Sequence, residues 1–142
     1  MTDFINIILV EDNKDDCEAI VRGFEACGFT HPIKWFNDSS LVLDHLLEEK
    51  NEKPSLILLD LNLPGVDGRS LLKYIKSHPQ LRHIPIIAMT TSADQKDIVS
   101  CYKHGACSYI QKPVNFNKMK EVCNSIVNYW FGSCLLPEDT DY

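Results

Sequence analysis

The sequence has no apolar run approaching the roughly 18–20 residues that a helix needs to cross a bilayer. Its first residues, Met1-Thr2-Asp3-Phe4-Ile5-Asn6, show no basic segment leading into a long apolar stretch, so no signal peptide is expected. Positive charge is also short: 14 Lys and Arg stand against 20 Asp and Glu, a formal net charge of −6. A general nucleic-acid binder needs a basic surface, and an anionic membrane attracts one; this balance disfavours both. No repeat, low-complexity segment or second compositional regime breaks the chain. Its 142 residues fit one domain. With 44% hydrophobic and 24% charged residues, an ordinary globular core is expected.

Six cysteines are present, Cys17, Cys27, Cys101, Cys107, Cys123 and Cys134, and their spacing is irregular. Most lie within apolar periodic segments. Buried free thiols are therefore expected, which implies a reducing, cytoplasmic compartment. Cys101, His104 and Cys107 have a spacing that resembles a ligand set. Gly105 is expected to end a helix between them, so their directions should diverge, and zinc would lack a fourth ligand.

Short apolar segments fall at residues 4–10, 33–36, 55–59, 84–89 and 107–110. Their length and composition predict strands. Between them apolar residues recur at helical spacing: Ala19, Ile20, Phe24 and Cys27; then Leu41, Val42, Leu46 and Leu47; then Leu71, Leu72 and Ile75. A fourth helix is predicted over 94–104. A fifth is marked by Phe116, Met119, Cys123, Ile126, Val127 and Trp130. Gly28 and Gly105 supply helix stops. Five strand–helix units predict the α/β class, a doubly wound five-stranded parallel sheet covered on both faces by five helices. The domain is expected to span residues 1–131, with 132–142 as a C-terminal tail.

In open sheets of this kind ligands bind beyond the carboxyl ends of the strands. Polar residues gather at those ends. The first strand runs into Glu11-Asp12, the third into Asp60, the fourth into Thr90-Thr91-Ser92 and the fifth into Lys112-Pro113. Three carboxylates brought together repel one another unless something compensates. A divalent cation does so, and Mg²⁺ suits one or two carboxylates plus waters. Lys112 adds fixed positive charge, and Thr90 adds a hydroxyl. Together these make a phosphoryl-transfer site. Asp60 is the candidate acceptor, because the turn over residues 61–68, with Pro64-Gly65 at its centre, opens beside it. Each residue alone has an ordinary explanation as a cap or a solvated charge. Their coincidence at four strand ends argues for a site.

These residues carry a resemblance. Val10-Glu11-Asp12-Asn13, Leu58-Leu59-Asp60-Leu61-Asn62-Leu63-Pro64-Gly65-Val66-Asp67-Gly68, Met89-Thr90-Thr91 and Tyr109-Ile110-Gln111-Lys112-Pro113 resemble the receiver domain of two-component response regulators. The match covers about residues 4–131. It implies a flavodoxin-like sheet with strand order 2-1-3-4-5. It implies that Asp60 accepts a phosphoryl group from a sensor histidine kinase. Mg²⁺ (or Mn²⁺) would be bound by Asp12, Asp60 and the Asn62 carbonyl, with Glu11 acting through water. Lys112 would pair with the phosphoryl group, Thr90 would close onto it, and Tyr109 would move inward as a coupled switch. Ser92 and Asn62 occupy positions that modulate phosphoryl lifetime in the family. A cis peptide before Pro113 is also implied.

The ending, Val127-Asn128-Tyr129-Trp130-Phe131-Gly132-Ser133-Cys134-Leu135-Leu136-Pro137, resembles stand-alone regulators that include the cyanobacterial phytochrome response regulators. That likeness implies a phytochrome-type kinase as partner. It also implies a homodimer through the fourth helix, fifth strand and fifth helix, with Tyr129, Trp130 and Phe131 at the face. With no DNA-binding or effector segment in view, output through protein contacts is expected.

Three other readings fit less well. A flavin mononucleotide binder would need a phosphate cradle where Glu11-Asp12 would repel one. A phosphatase with an aspartate nucleophile would carry it on the first strand and would need a cap over its substrate. A receiver that has lost phosphorylation would not be expected to keep the acidic pair with Asp60, Thr90 and Lys112.

Overall fold

A computed structural model describes residues 5–63 and 67–137. The strands are β1 (Ile7–Val10), β2 (Ile33–Phe36), β3 (Leu56–Leu59), β4 (Ile86–Thr90) and β5 (Ser108–Gln111). The helices are α1 (Lys14–Ala26), α2 (Ser39–Leu47), α3 (Gly68–Ser77), α4 (Gln95–Lys103) and α5 (Phe116–Asn128). All neighbouring strands pair in parallel, in the order β2-β1-β3-β4-β5. This is the flavodoxin-like, doubly wound arrangement.

Every residue of β1, β3 and β4 is buried, as a central strand covered on both faces requires. Alternate side chains enter two cores. On one face Ile7, Leu9, Leu58 and Met89 pack with Ile20, Phe24, Met119, Cys123 and Ile126 of α1 and α5. On the other, Ile8, Val10, Ile57 and Leu59 pack with Val42, Leu46, Leu71, Leu72, Ile75 and Cys101 of α2, α3 and α4.

Each helix opens on an Asp or Asn. The side chains of Asn13, Asp38, Asp67, Asp94 and Asn115 accept from the second or third amide of their helices, satisfying donors that a helix start leaves open. Gly28 and Gly105 lie at φ +84° and +103° just past α1 and α4, the left-handed conformation that glycine takes freely.

Several boundaries differ from the sequence-based expectation. The first strand begins at Ile7, whose amide donates to Pro32 O; Phe4 lies outside the described residues. The fourth begins at Ile86, because Pro85 has no amide for the ladder. The fifth is displaced by one residue, to Ser108–Gln111. The peptide before Pro113 is trans, the form that X–Pro bonds favour by roughly 0.5–1 kcal/mol. Of the six thiols, all free, only Cys17, Cys101 and Cys123 are buried; Cys107 is exposed, and Cys27 and Cys134 are intermediate.

The last helix does not stop at Trp130. A π-helical turn, Tyr129–Ser133, extends α5 and is closed by the Cys134 amide donating to Tyr129 O at 2.9 Å. The expected domain end at 131 falls inside it. Trp130 and Phe131 pack against the α1/α5 core. Among the described residues no helix is long and apolar enough to cross a membrane.

Candidate functional site

The ladders run one residue beyond the strands and so place the acids. Glu11 N–H donates to Phe36 O, Asp60 N–H to Val10 O, and Lys112 N–H to Thr90 O, at 3.0, 3.0 and 2.7 Å. Glu11, Asp60 and Thr90 are thereby held in the interior at the carboxyl edge, 1%, 6% and 0% exposed. Asp12 is exposed beside them. One carboxylate oxygen from each of Glu11, Asp12 and Asp60 lies within 4.8 Å of the other two. Among the described residues no other such group of His, Cys, Asp or Glu occurs.

Lys112 reaches into this cluster with an almost wholly buried side chain. Its Nζ pairs with Glu11 Oε1, with Asp16 Oδ2 at 2.9 Å and with Asp60 Oδ2 at 3.2 Å. Burial opposes its charge. Hydrogen bonds to Glu11 and Asp16, and the charges of Glu11 and Asp60, outweigh burial and hold its pKa above the ordinary lysine value. For Glu11 an upward shift favours the uncharged form instead. Burial, then the neighbouring Asp60, push its pKa up to about 8 in spite of Lys112. One lysine therefore does not neutralise the pocket. Hard, crowded oxygen donors with a carboxyl group pushed towards its protonated form are the donor set that a divalent cation fits.

Asn62 N–H donates to Asp60 Oδ1 at 3.2 Å, and its side-chain amide donates to Thr90 Oγ1 at 3.3 Å. Thus Asn62 ties β3's acid to β4's hydroxyl. The Pro64-Gly65 turn beside Asp60 lies outside the described residues. Its far end is fixed by Gly68, which packs so closely that a Cβ there would collide with the Asp60 carbonyl and Leu61 Cα. Tyr109 packs against the α2–α4 core, and its hydroxyl donates to Ser92 O at 2.9 Å.

The structure brings Glu11, Asp12, Asp60, Asn62, Thr90 and Lys112 together, and it joins Ser92 and Tyr109 to each other. Tyr129, Trp130 and Phe131 stand apart, beyond the far end of α5. Tyr129 is exposed, whereas Phe131 stacks on Phe29 with centroids 5.5 Å apart. Cys101, His104 and Cys107 are occupied separately: Cys101 is buried, His104 Nδ1 bonds Ser100 O, and Cys107 Sγ donates to Ile86 O.

Four contributors were not singled out from sequence. Asp16 shares Lys112. Trp35 donates its indole N–H to Glu11 O at 2.6 Å. Arg69 bonds Asp97 Oδ1 at 2.8 Å, and Asp97 Oδ2 accepts from Ser92 Oγ at 2.9 Å. Only for Asp16 was there a local signal, an acid three residues after a helix cap, and that pattern has a simpler use in capping.

Residues 7–124 match the response regulator receiver domain family, and the chain belongs to it. Its members are two-component switches that take a phosphoryl group on an aspartate and are served by histidine kinases; they are not conventional enzymes. Among curated relatives, the probable methanogenesis regulatory protein FilR2 of Methanothrix harundinacea is 41% identical over 129 residues, 89% of this chain and 83% of that protein. Response regulator Rcp1 of Synechocystis is 32% identical over 135 residues, 92% of each. The crystal structure of Rcp1 in its Mn(2+)-bound form matches with a TM-score of 0.85, covering 94% of this chain and 99% of that one. That of the phosphorylated cyanobacterial phytochrome response regulator RcpA is 34% identical, with a TM-score of 0.89 over 96% and 100%.

Proposed function

We propose that Asp60 is the phosphoryl acceptor of a response regulator that signals through protein contacts. The observation that carries this is Lys112 Nζ, 3.2 Å from Asp60 Oδ2 within a cluster of three carboxylates. A carboxylate oxygen of Asp60 forms the new O–P bond as the N–P bond of a phosphohistidine breaks, and the leaving imidazole keeps the electron pair. Asp12, Asp60 and the Asn62 carbonyl, with Glu11 through water, would hold Mg²⁺ or Mn²⁺, which would supply positive charge to the phosphoryl oxygens. Lys112 carries the fixed charge on the other side. Thr90, already beside Asn62, donates to the phosphoryl group. Its movement reaches Tyr109 through Ser92, whose side-chain position, with Asn62, sets access to the phosphoryl group and hence its lifetime.

The donor proposed is a sensor histidine kinase of phytochrome type, supported by the likeness to RcpA and Rcp1, and the chain is proposed to act in the cytoplasm. The output proposed is a homodimer through α4, β5 and α5. Acetyl phosphate with Mg²⁺ should add one phosphoryl mass to the wild type and none to Asp60→Asn. Equal labelling of the folded variant would remove Asp60 from the role.

A further inference from the structure

The geometry points to Asp16 as the positioning residue for Lys112, the side chain that holds the ammonium beside Asp60 when a divalent cation fills the acidic pocket. The inference rests on the phosphoryl-acceptor reading above.

Asp16 is the third residue of α1, after the cap Asn13, whose side chain accepts from the Asp16 amide at 3.0 Å. An acid at that place usually turns back to the amide of the cap residue and closes a reciprocal capping box. Here the Asn13 amide donates instead to Glu11 Oε2 at 3.3 Å. The Asp16 carboxylate is thereby released from capping, and it reaches Lys112 Nζ at 2.9 Å, across 96 residues of sequence.

Lys112 has three N–H donors and three carboxylate partners, Glu11, Asp16 and Asp60. Glu11 and Asp60 belong to the cluster of oxygens that a cation would share; Asp16 does not. A dication among those oxygens draws on the charge of Glu11 and Asp60 and repels the ammonium a few ångströms away. Asp16 is then the anionic partner left wholly to Lys112. Its side chain is 41% exposed, against 8% for Lys112 and 7% for Asp60. The ammonium is thus strung between a carboxylate at the mouth and the acceptor at the floor. It is aimed where the phosphoryl oxygens arrive, rather than swinging out to solvent on its flexible stem.

The test is phosphorylation by acetyl phosphate at saturating Mg²⁺, read by intact mass over time. In that reaction an Asp60 oxygen bonds phosphorus as the acyl O–P bond breaks and acetate leaves with the electron pair. Asp16→Asn should slow the rate about three- to tenfold, the scale of one half-exposed charge-assisted hydrogen bond. Mg²⁺ affinity should move by less than about twofold, because Asp16 is no ligand and only its distant charge is removed. Asp16→Glu should recover part of the rate. In a Lys112→Ala background Asp16→Asn should change nothing further, since its effect passes through the lysine. An equal slowing in that background, or none in the wild-type background while the wild type labels normally, overturns the inference and leaves the phosphoryl-acceptor reading standing. If the wild type itself takes no label, that reading fails and the inference falls with it.

Discussion

Glu11 is where the cost of the site is concentrated. Its backbone N–H and C=O are both taken by β2, through Phe36 O and the Trp35 indole. Its carboxyl is therefore held in the interior whatever its charge. Burial and Asp60 push its pKa from 4.5 up to about 8. Between those values the folded chain holds a proton that the unfolded chain has released. By linkage, this contribution to stability is full below the unfolded pKa and is lost as pH rises through the folded one. Without divalent cations, denaturation midpoints should therefore fall between about pH 5 and pH 8 on this account. In Glu11→Gln the fall should be smaller. Mg²⁺ should reverse it in the wild type by replacing the proton, so metal binding in this range should release protons. Parallel denaturation curves for wild type and Glu11→Gln across the window would show that Glu11 titrates elsewhere. None of this was legible locally. The apolar run into an acid showed where Asp60 stands, but the pairing of Lys112 with Glu11, Asp16 and Asp60 spans 52 to 101 residues, and such distances leave no trace in periodicity.

Helices and strands were legible wherever a local rule decides them. Buried aliphatic tetrads made β1 and β3, the 3.6-residue spacing made α1 and α5, and Gly28 and Gly105 ended helices at positive φ. Boundaries slipped where the ladder partner decides, as at Pro85. The couplings between elements stayed hidden. Arg69 in the first turn of α3 and Asp97 in the first turn of α4 each look like solvated charges. In the structure they meet at 2.8 Å, and Asp97 also receives Ser92 Oγ. Ser92 Oγ accepts from Asp94 N–H at 3.1 Å, and Ser92 O holds the Tyr109 hydroxyl. This strap links the far side of the Asp60 turn to the β4–α4 connection and to β5. The hydrogen bonds from Arg69 and Ser92 hold the Asp97 carboxyl below its ordinary pKa. Asp97→Ala should leave β1 and β3 unaffected but speed hydrogen exchange of the amides from Ser92 to Ile98 severalfold, since that segment loses an anchor at each end. Unchanged exchange there would mean that the connection is held by its backbone alone.

At the scale of the whole molecule, the two faces of the sheet divide the labour. The α2–α4 side carries Tyr109 and the strap, whereas the α1/α5 side carries the C-terminal aromatics. The sequence reading placed Tyr129, Trp130 and Phe131 together at a dimer face. Within the π-helical turn the three side chains meet different surroundings. Phe131 stacks on Phe29, which itself lies against Phe24 with centroids 5.4 Å apart. Trp130 is half-buried against the same core, and Tyr129 meets it edge-on at 5.3 Å with its own ring mostly in solvent. The three residues should therefore separate by experiment. Phe131→Ala removes half-buried ring area from a monomer core and should destabilise the chain by about 1–2 kcal/mol, below the range for a fully buried Phe. Tyr129→Ala should leave the denaturation midpoint nearly unchanged. If α4, β5 and α5 form the phosphorylation-dependent dimer, exposed Val99 and Tyr102 on α4 supply apolar area for it. Sedimentation with Mg²⁺ and beryllofluoride should then show a dimer in the wild type that Tyr102→Glu weakens more than tenfold, a charge being costly in a desolvated interface. Asp60→Asn should give a monomer under the same conditions. A dimer that survives Tyr102→Glu but is lost in Tyr129→Ala would move the interface from α4 to the C-terminal turn.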